Sequence, residues 1–280
     1  MRDREPLMIP FRKEKLLDYL NRCRMPDGGY CAFRDPESGA GFSNVADTRF
    51  ALYSFRRLGK EIPSLPETRF WILRALSEDG GHWRSPFLSW ALEAKRLAGM
   101  PFSDEDRFLM RQEAARLLSE KVLPQERSGL LRDLVFLFRV RLFAGIPKDP
   151  EEAKALSLLL GEGSSASGVP TILEAADRAF LTAPDLPSPG EWPYRHPTLG
   201  YVLVPGSSRS DLFILLAGLR MRKDPPGPEE ADLLRIRVLF CQGREGGFSP
   251  VGGARPTLEA TEAALEILAR LPGGAPNGAF

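Results

Sequence analysis

Cys23-Arg24-Met25-Pro26-Asp27-Gly28-Gly29-Tyr30, leading to Val45-Ala46-Asp47-Thr48-Arg49-Phe50-Ala51-Leu52, has a counterpart at the other end of the chain. There the run is Cys241-Gln242-Gly243-Arg244-Glu245-Gly246-Gly247-Phe248, leading to Leu258-Glu259-Ala260-Thr261-Glu262-Ala263-Ala264-Leu265. Each stretch reads as a helix end, a cysteine, an acidic-Gly-Gly-aromatic turn, a loop and a new helix. Two distant copies of one unit identify a repeat architecture. A Gly pair after a helix supplies positive φ and lets the chain reverse without a Cβ clash. The preceding acid can accept hydrogen bonds from exposed amides. These motif residues therefore read as scaffold.

Working outward, helix-period patterns dominate and no alternating run predicts a strand. The predicted helical segments are 12–23, 45–58, 66–77, 87–98, 104–121, 129–144, 151–160, 171–182, 210–222, 229–241 and 257–271. Asp79-Gly80-Gly81-His82-Trp83 is a third copy of the turn. Segment 66–77 presents Phe70, Leu73, Ala75 and Leu76 as its apolar stripe. Ser103 is the expected N-cap of 104–121. The units succeed one another roughly every 40–50 residues as helical hairpins, which bury one face alone and stack to complete their cores. Their approximate bounds are 12–59, 66–99, 104–145, 151–182, 183–222 and 229–271, with a tail at 272–280, all in a single domain 1–280. One helix of the series is missing: 183–209 is an irregular, proline-rich segment, either a functional loop or a misplaced element.

Composition bounds the function. Of 280 residues, 43% are hydrophobic and 27% charged, enough for a large core. Lys+Arg number 38 against 37 Asp+Glu, so no global field draws the chain to nucleic acid or to an anionic membrane. No apolar run is long enough to cross a bilayer. Three cysteines, Cys23, Cys31 and Cys241, form no paired framework, and a reducing, cytoplasmic setting is expected.

The turn with Leu258-Glu259-Ala260-Thr261 and Ala264-Leu265 resembles the prenyltransferase and squalene-oxidase repeat of the terpenoid cyclases and protein prenyltransferase β subunits. The copies at 12–59 and 229–271 match well, that at 66–99 moderately, and 104–222 only in rhythm, so roughly half of the chain is covered. The resemblance implies an all-α fold, an α/α toroid near (α/α)6, with inner helices around an aromatic funnel that binds an isoprenoid chain. It also implies two possible chemistries. The zinc site of the prenyltransferases needs an Asp-x-Cys pair, which this chain lacks, and a later His near the C-terminal repeat, where neither His82 nor His196 sits; zinc is not expected. The Asp-x-Asp-Asp acid of the cyclases has only Ser103-Asp104-Glu105-Asp106 as a counterpart, which reads as a capped helix start.

Candidate site residues follow from the hairpin order. Starts of alternate helices would gather Asp47, Thr48, Asp133, Glu174, Asp211, Glu259 and Thr261 on one rim. Of these, Asp47, Asp133, Asp211 and Glu259 are the candidate acids, able to raise one another's pKa or hold a divalent ion, or else simply to cap helices. Phe50, Trp90, Phe136 and Phe213 either line an apolar pocket or pack together and close it. Trp192, Tyr194, Arg195, His196, Tyr201 and Arg209 give segment 190–209 its chemical variety; folded over the mouth, Arg195, His196 and Arg209 would bind a diphosphate or another anion. Three function classes remain open: an isoprenoid enzyme of remodelled site, a non-catalytic toroid binding an apolar molecule or a partner subunit, and a carbohydrate-active (α/α)6 enzyme with two opposed carboxylates.

Overall fold

The computed structural model describes residues 10–33, 41–78, 84–120, 126–161, 170–182 and 192–273. Among these the fold is all-α, with eleven helices: α1 (Lys13–Arg22), α2 (Val45–Arg57), α3 (Leu65–Glu78), α4 (Phe87–Leu97), α5 (Asp104–Ser119), α6 (Arg127–Phe143), α7 (Pro150–Gly161), α8 (Ile172–Thr182), α9 (Leu212–Arg220), α10 (Pro228–Phe240) and α11 (Leu258–Arg270). Each falls within a residue or two of a predicted segment. The turn at 79–83 with its His82, segment 183–191 and residues 274–280 lie outside the described residues. Between α8 and α9 stand a 3-10 turn, Trp192–Tyr194, and a two-stranded antiparallel ladder, β1 (Arg195–His196) with β2 (Gly200–Tyr201). Strands of two residues leave no alternation to read, which is why the pattern predicted none.

Local chemistry sets the helix ends. Ser103 Oγ accepts from Asp106 N (3.2 Å) while Asp106 Oδ2 accepts from Ser103 N (2.7 Å), a reciprocal capping box. Asn44, Asp211 and Thr257 cap α2, α9 and α11 through side-chain oxygens. The α3 stripe differs from its prediction: Phe70 and Leu73 are exposed, and Trp71 and Ile72 are buried in their place. The Gly-Gly turn explains the shift, because it docks on the face bearing Trp71 (below).

The helices pack in a definite order. α2 contacts α4, α4 contacts α6, α6 contacts α8, α8 contacts α9, α9 contacts α11, and α11 returns to α2. Each of α1, α3, α5, α7 and α10 packs on one member of that series, namely α2, α4, α6, α8 and α11. Beside α9, β2 packs in the place of such a helix. α9 and α11 are buried on nearly all sides, as expected of helices covered by neighbours both along the series and behind it. One apolar cluster joins α1 and α2 to α9 and α11, and a second fills α5, α6 and α7; both draw residues from α4 and α8.

The two matching turns are the same object. Met25 N donates to Gly29 O (2.9 Å) as Gly243 N does to Gly247 O (2.8 Å). Tyr30 N donates to Thr48 Oγ1 (3.0 Å) as Phe248 N does to Thr261 Oγ1 (3.1 Å). Each first glycine has positive φ and lies flat on a helix of another repeat: Gly28 on α3 at Glu67, Gly246 on α1 at Lys15. The second glycines lie against Trp71 and Tyr19. Thus the last repeat docks on the first helix in the way that the first repeat docks on the third. Gln242 completes this junction: its Oε1 accepts from Arg12 N (3.0 Å) and its Nε2 donates to Arg12 O (3.2 Å), 230 residues away.

Candidate functional site

The predicted rim acids are occupied. Asp47 Oδ2 accepts from Ala32 N (2.9 Å) and Asn44 Nδ2 (2.8 Å), tying the preceding loop to the start of α2. Asp211 caps α9 by accepting from Ile214 N (2.9 Å). Asp133 lies toward α5, where burial and then Glu113 push its carboxyl up to about 6. Glu259 is exposed, yet crowding still raises its carboxyl, partly offset by Arg132 and Arg49. Thr48 and Thr261 are buried acceptors for the two turns, and Glu174 pairs with Arg178 (2.9 Å).

Segment 192–209 is directed elsewhere than the anion site expected of it. Arg195 pairs with Glu230 of α10 (2.6 Å), which Arg222 also holds (2.7 Å). His196 braces its own turn, its Nδ1 accepting from Leu199 N (3.2 Å) and Thr198 N (3.3 Å). Tyr194 is buried and donates to Pro170 O (2.8 Å), Tyr201 is buried against Gly218, and Arg209 is exposed. The side chain of Trp192 lies outside the described part of the structure. The ladder thus fills space beside α9 and α10, and its Arg and His are committed to that task.

Three of the four predicted aromatics do meet. Trp90 lies edge-on to Phe136 (centroids 5.7 Å) and tilted to Phe50 (6.2 Å), with Phe87 edge-on at 5.5 Å. They come from α2, α4 and α6, three consecutive members of the series. Phe213 is half-buried on α9 and packs against the larger apolar cluster.

Beside these rings stands a charged cluster that the sequence reading did not anticipate. Arg49, 1% exposed, donates through Nε to Glu93 of α4 (2.8 Å) and through Nη1 to Glu262 of α11. Arg220 of α9 donates twice to Glu266 of α11, at 3.1 and 2.6 Å. Arg96 stands 3.8 Å from Glu93 and lies over the Phe143 ring at 3.9 Å. The electrostatics follow from burial set against pairing. Desolvation works against the Arg49 charge, but Glu262 and Glu93 outweigh it and hold the guanidinium firmly protonated. Desolvation wins at Glu262, whose carboxyl is raised. At Glu93 the positive charges of Arg49 and Arg139 win, and at Glu266 that of Arg220, so both carboxyls are lowered. Burial, reinforced by Glu266 and Glu262, pushes the Tyr53 hydroxyl up to about 12.

Arg220 leaves 39% of its side chain open to solvent, yet its surroundings are dense enough to desolvate it. A cavity of about 500 Å³ lies where the start of α2 meets α3 and α4, lined by Asp27, Phe42, Ser43, Trp71, Arg74 and Phe87. Cys23, Cys31 and Cys241 are buried, and desolvation pushes the Cys241 thiol up to about 11, well away from a nucleophilic thiolate. Among the described residues no three His, Cys, Asp or Glu side chains group as metal ligands, and no helix is long and apolar enough to cross a membrane. No protein-family model, curated protein or solved structure matches this chain.

Proposed function

We propose that the chain is an α/α toroid, near (α/α)6, whose six serially packed helices surround a recess that binds a small, largely apolar molecule, on a prenyltransferase- or cyclase-like scaffold. The observation that carries this reading is the meeting of Phe50, Trp90 and Phe136 from three consecutive helices beside a buried Arg49 that bridges to α11. An aromatic wall next to a few fixed polar groups is the usual makeup of a small-molecule site. The return of α11 to α2 supports the enclosed shape. Asp47 and Asp211 are spent on helix starts, which favours binding over acid catalysis by those groups.

Isothermal titration of the full chain with farnesol, a neutral isoprenoid, tests the reading. Saturable binding that weakens at least tenfold in Phe136→Ala supports it. No heat of binding, or equal affinity in that variant, overturns it. A second reading, a partner subunit seated near the start of α2, draws on Phe42, 88% exposed beside the 500 Å³ cavity. Co-purification from the native host followed by native mass spectrometry separates the two, by a bound mass of small-molecule or of subunit size.

A further inference from the structure

We propose that the cavity at the start of α2 binds a free α-amino acid with a large apolar side chain, Asp27 meeting its ammonium group and Arg74 its carboxylate. The inference stands on that cavity and on the turn beside it, and goes beyond the recess reading without drawing on it.

Asp27 is a carboxylate held in place but not neutralised. Its Oδ1 accepts from Gly29 N (3.0 Å) and Ser43 Oγ (2.6 Å), and its Oδ2 accepts from Trp71 Nε1 (3.1 Å). All three donors are neutral, and Asp27 makes no ion pair with any described residue. A carboxylate offers about four acceptor positions, so one remains, on Oδ2 beside the Trp71 indole. The turn itself does not require this arrangement. Its copy closes with the same backbone bond, Gly243 N to Gly247 O, yet there the second glycine lies on Tyr19, and Glu245 makes no hydrogen bond to the hydroxyl of that ring. Of the two described turns, only the one that borders the cavity fixes its acid to a ring.

The rest of the lining completes the outline of the ligand. Phe42, Trp71 and Phe87 are its aromatic members, and Phe42 and Phe87 are exposed, two large rings left at the mouth of one cavity. Rings around a carboxylate that no cation answers favour an organic ammonium group, which is drawn both to the charge and to the ring faces. Arg74 lines the same cavity from one turn beyond Trp71 on α3, and residues three apart share a helix face. The planar fork of its guanidinium matches a carboxylate. Asp27 and Arg74 do not pair with each other, so the cavity carries one charge of each sign. A purely cationic ligand would meet Arg74 unfavourably, and a purely anionic one Asp27. A molecule that carries both signs on an apolar body satisfies both residues and the rings together. The volume of about 500 Å³ falls in the range of small-molecule sites. The ligand class is therefore an amino-acid zwitterion with an aromatic or branched aliphatic side chain.

The test is isothermal titration of the full chain with L-phenylalanine and L-leucine, each beside the amine that lacks its carboxylate (phenethylamine, isopentylamine) and the acid that lacks its ammonium group (3-phenylpropanoate, 4-methylpentanoate). At least one amino acid is expected to bind saturably, and both of its analogues about tenfold or more weaker. Asp27→Asn is expected to reduce that amino acid to the affinity of its acid analogue, and Arg74→Gln to the affinity of its amine analogue. Thermal melts verify folding, and Arg74→Gln, at an exposed position, carries the test if Asp27→Asn unfolds. An amine that binds as tightly as the amino acid would overturn the part given to Arg74, and an acid that does so the part given to Asp27; either result would overturn the zwitterion. Failure of both amino acids to bind would sink the site and leave Phe42 and its cavity to the partner reading.

Discussion

Gly246 lies so close to the carbonyl oxygen of Lys15 that a Cβ on the glycine would stand 2.0 Å from that oxygen. Gly28 bears the same relation to Glu67, at 2.6 Å. One contact joins neighbouring repeats, and its copy joins the end of the chain to its beginning. The glycine is required twice over at each place, by positive φ (102° at Gly246, 96° at Gly28) and by backbone on backbone. Gly246→Ala is therefore expected to lose about 3 kcal/mol or more. Gly253→Ala, at φ 83° with open space around it, is expected to lose about 1–2 kcal/mol. Urea unfolding of the two variants provides the comparison; equal losses would mean that the docking adds nothing to backbone strain.

Gln242 holds the same junction through its side chain, bonding Arg12 N, Arg12 O and Gly246 O while 6% exposed. Gln242→Ala leaves those groups without their partner and is expected to cost about 1–3 kcal/mol. The effect is local: amide exchange across α1 should quicken while that across α6 stays at its wild-type rate. Hydrogen exchange read by mass spectrometry reports both helices in one experiment.

Asp133 links stability to pH. Burial first, then Glu113, raise its folded pKa to about 6 from 3.8. A carboxyl raised on folding binds its proton more tightly in the native state, so its contribution is fullest below the unfolded value and is lost as pH rises toward 6. Asp133→Asn is expected to change little at pH 3.5 and to stabilise by about 1–2 kcal/mol at pH 7 after solvent screening. Asp177, raised to about 6 mainly by burial, keeps part of the slope in the variant. Urea midpoints at the two pH values check the sign; a loss at pH 7 instead would place Asp133 in a favourable pairing.

Much of this scaffold was legible because its rules are local. Gly28-Gly29 and Gly246-Gly247 announce themselves, since no other residue fits a left-handed turn pressed against backbone. Ser103 reads as an N-cap from its place before α5, and the structure completes it into a capping box with Asp106. Gly59, Gly99 and Gly145, each at positive φ just past a helix, mark the ends of α2, α4 and α6. The charged cluster was not legible, for a physical reason. Glu259, Glu262, Glu266 and Arg270 recur at helical spacing in α11 and look like a solvated face, yet Glu262 and Glu266 are 5% exposed. The missed signal was the other face: Leu258, Ala260, Ala264 and Ile267 already bury α11 on one side, and a helix packed between neighbours must bury its charges too. Two of the four candidate acids, Asp47 and Asp211, were drawn from helix starts, where capping competes for every carboxylate. Arg195 and His196 misled because a proline-rich stretch suggested a lid, whereas its ladder serves as packing beside α9.

The claim on which the recess depends is that α2 and α11, far apart in sequence, meet across a buried ion pair. A double-mutant cycle of Arg49→Met and Glu262→Met tests it most directly. Arg49→Met alone strands two buried carboxylates and is expected to cost about 3–5 kcal/mol. The cycle is expected to return a coupling energy of about 2 kcal/mol between residues 213 positions apart. Losses that add to within about 0.5 kcal/mol would show the two residues to be independent, and would contradict the closure of the helix series from which the recess is drawn.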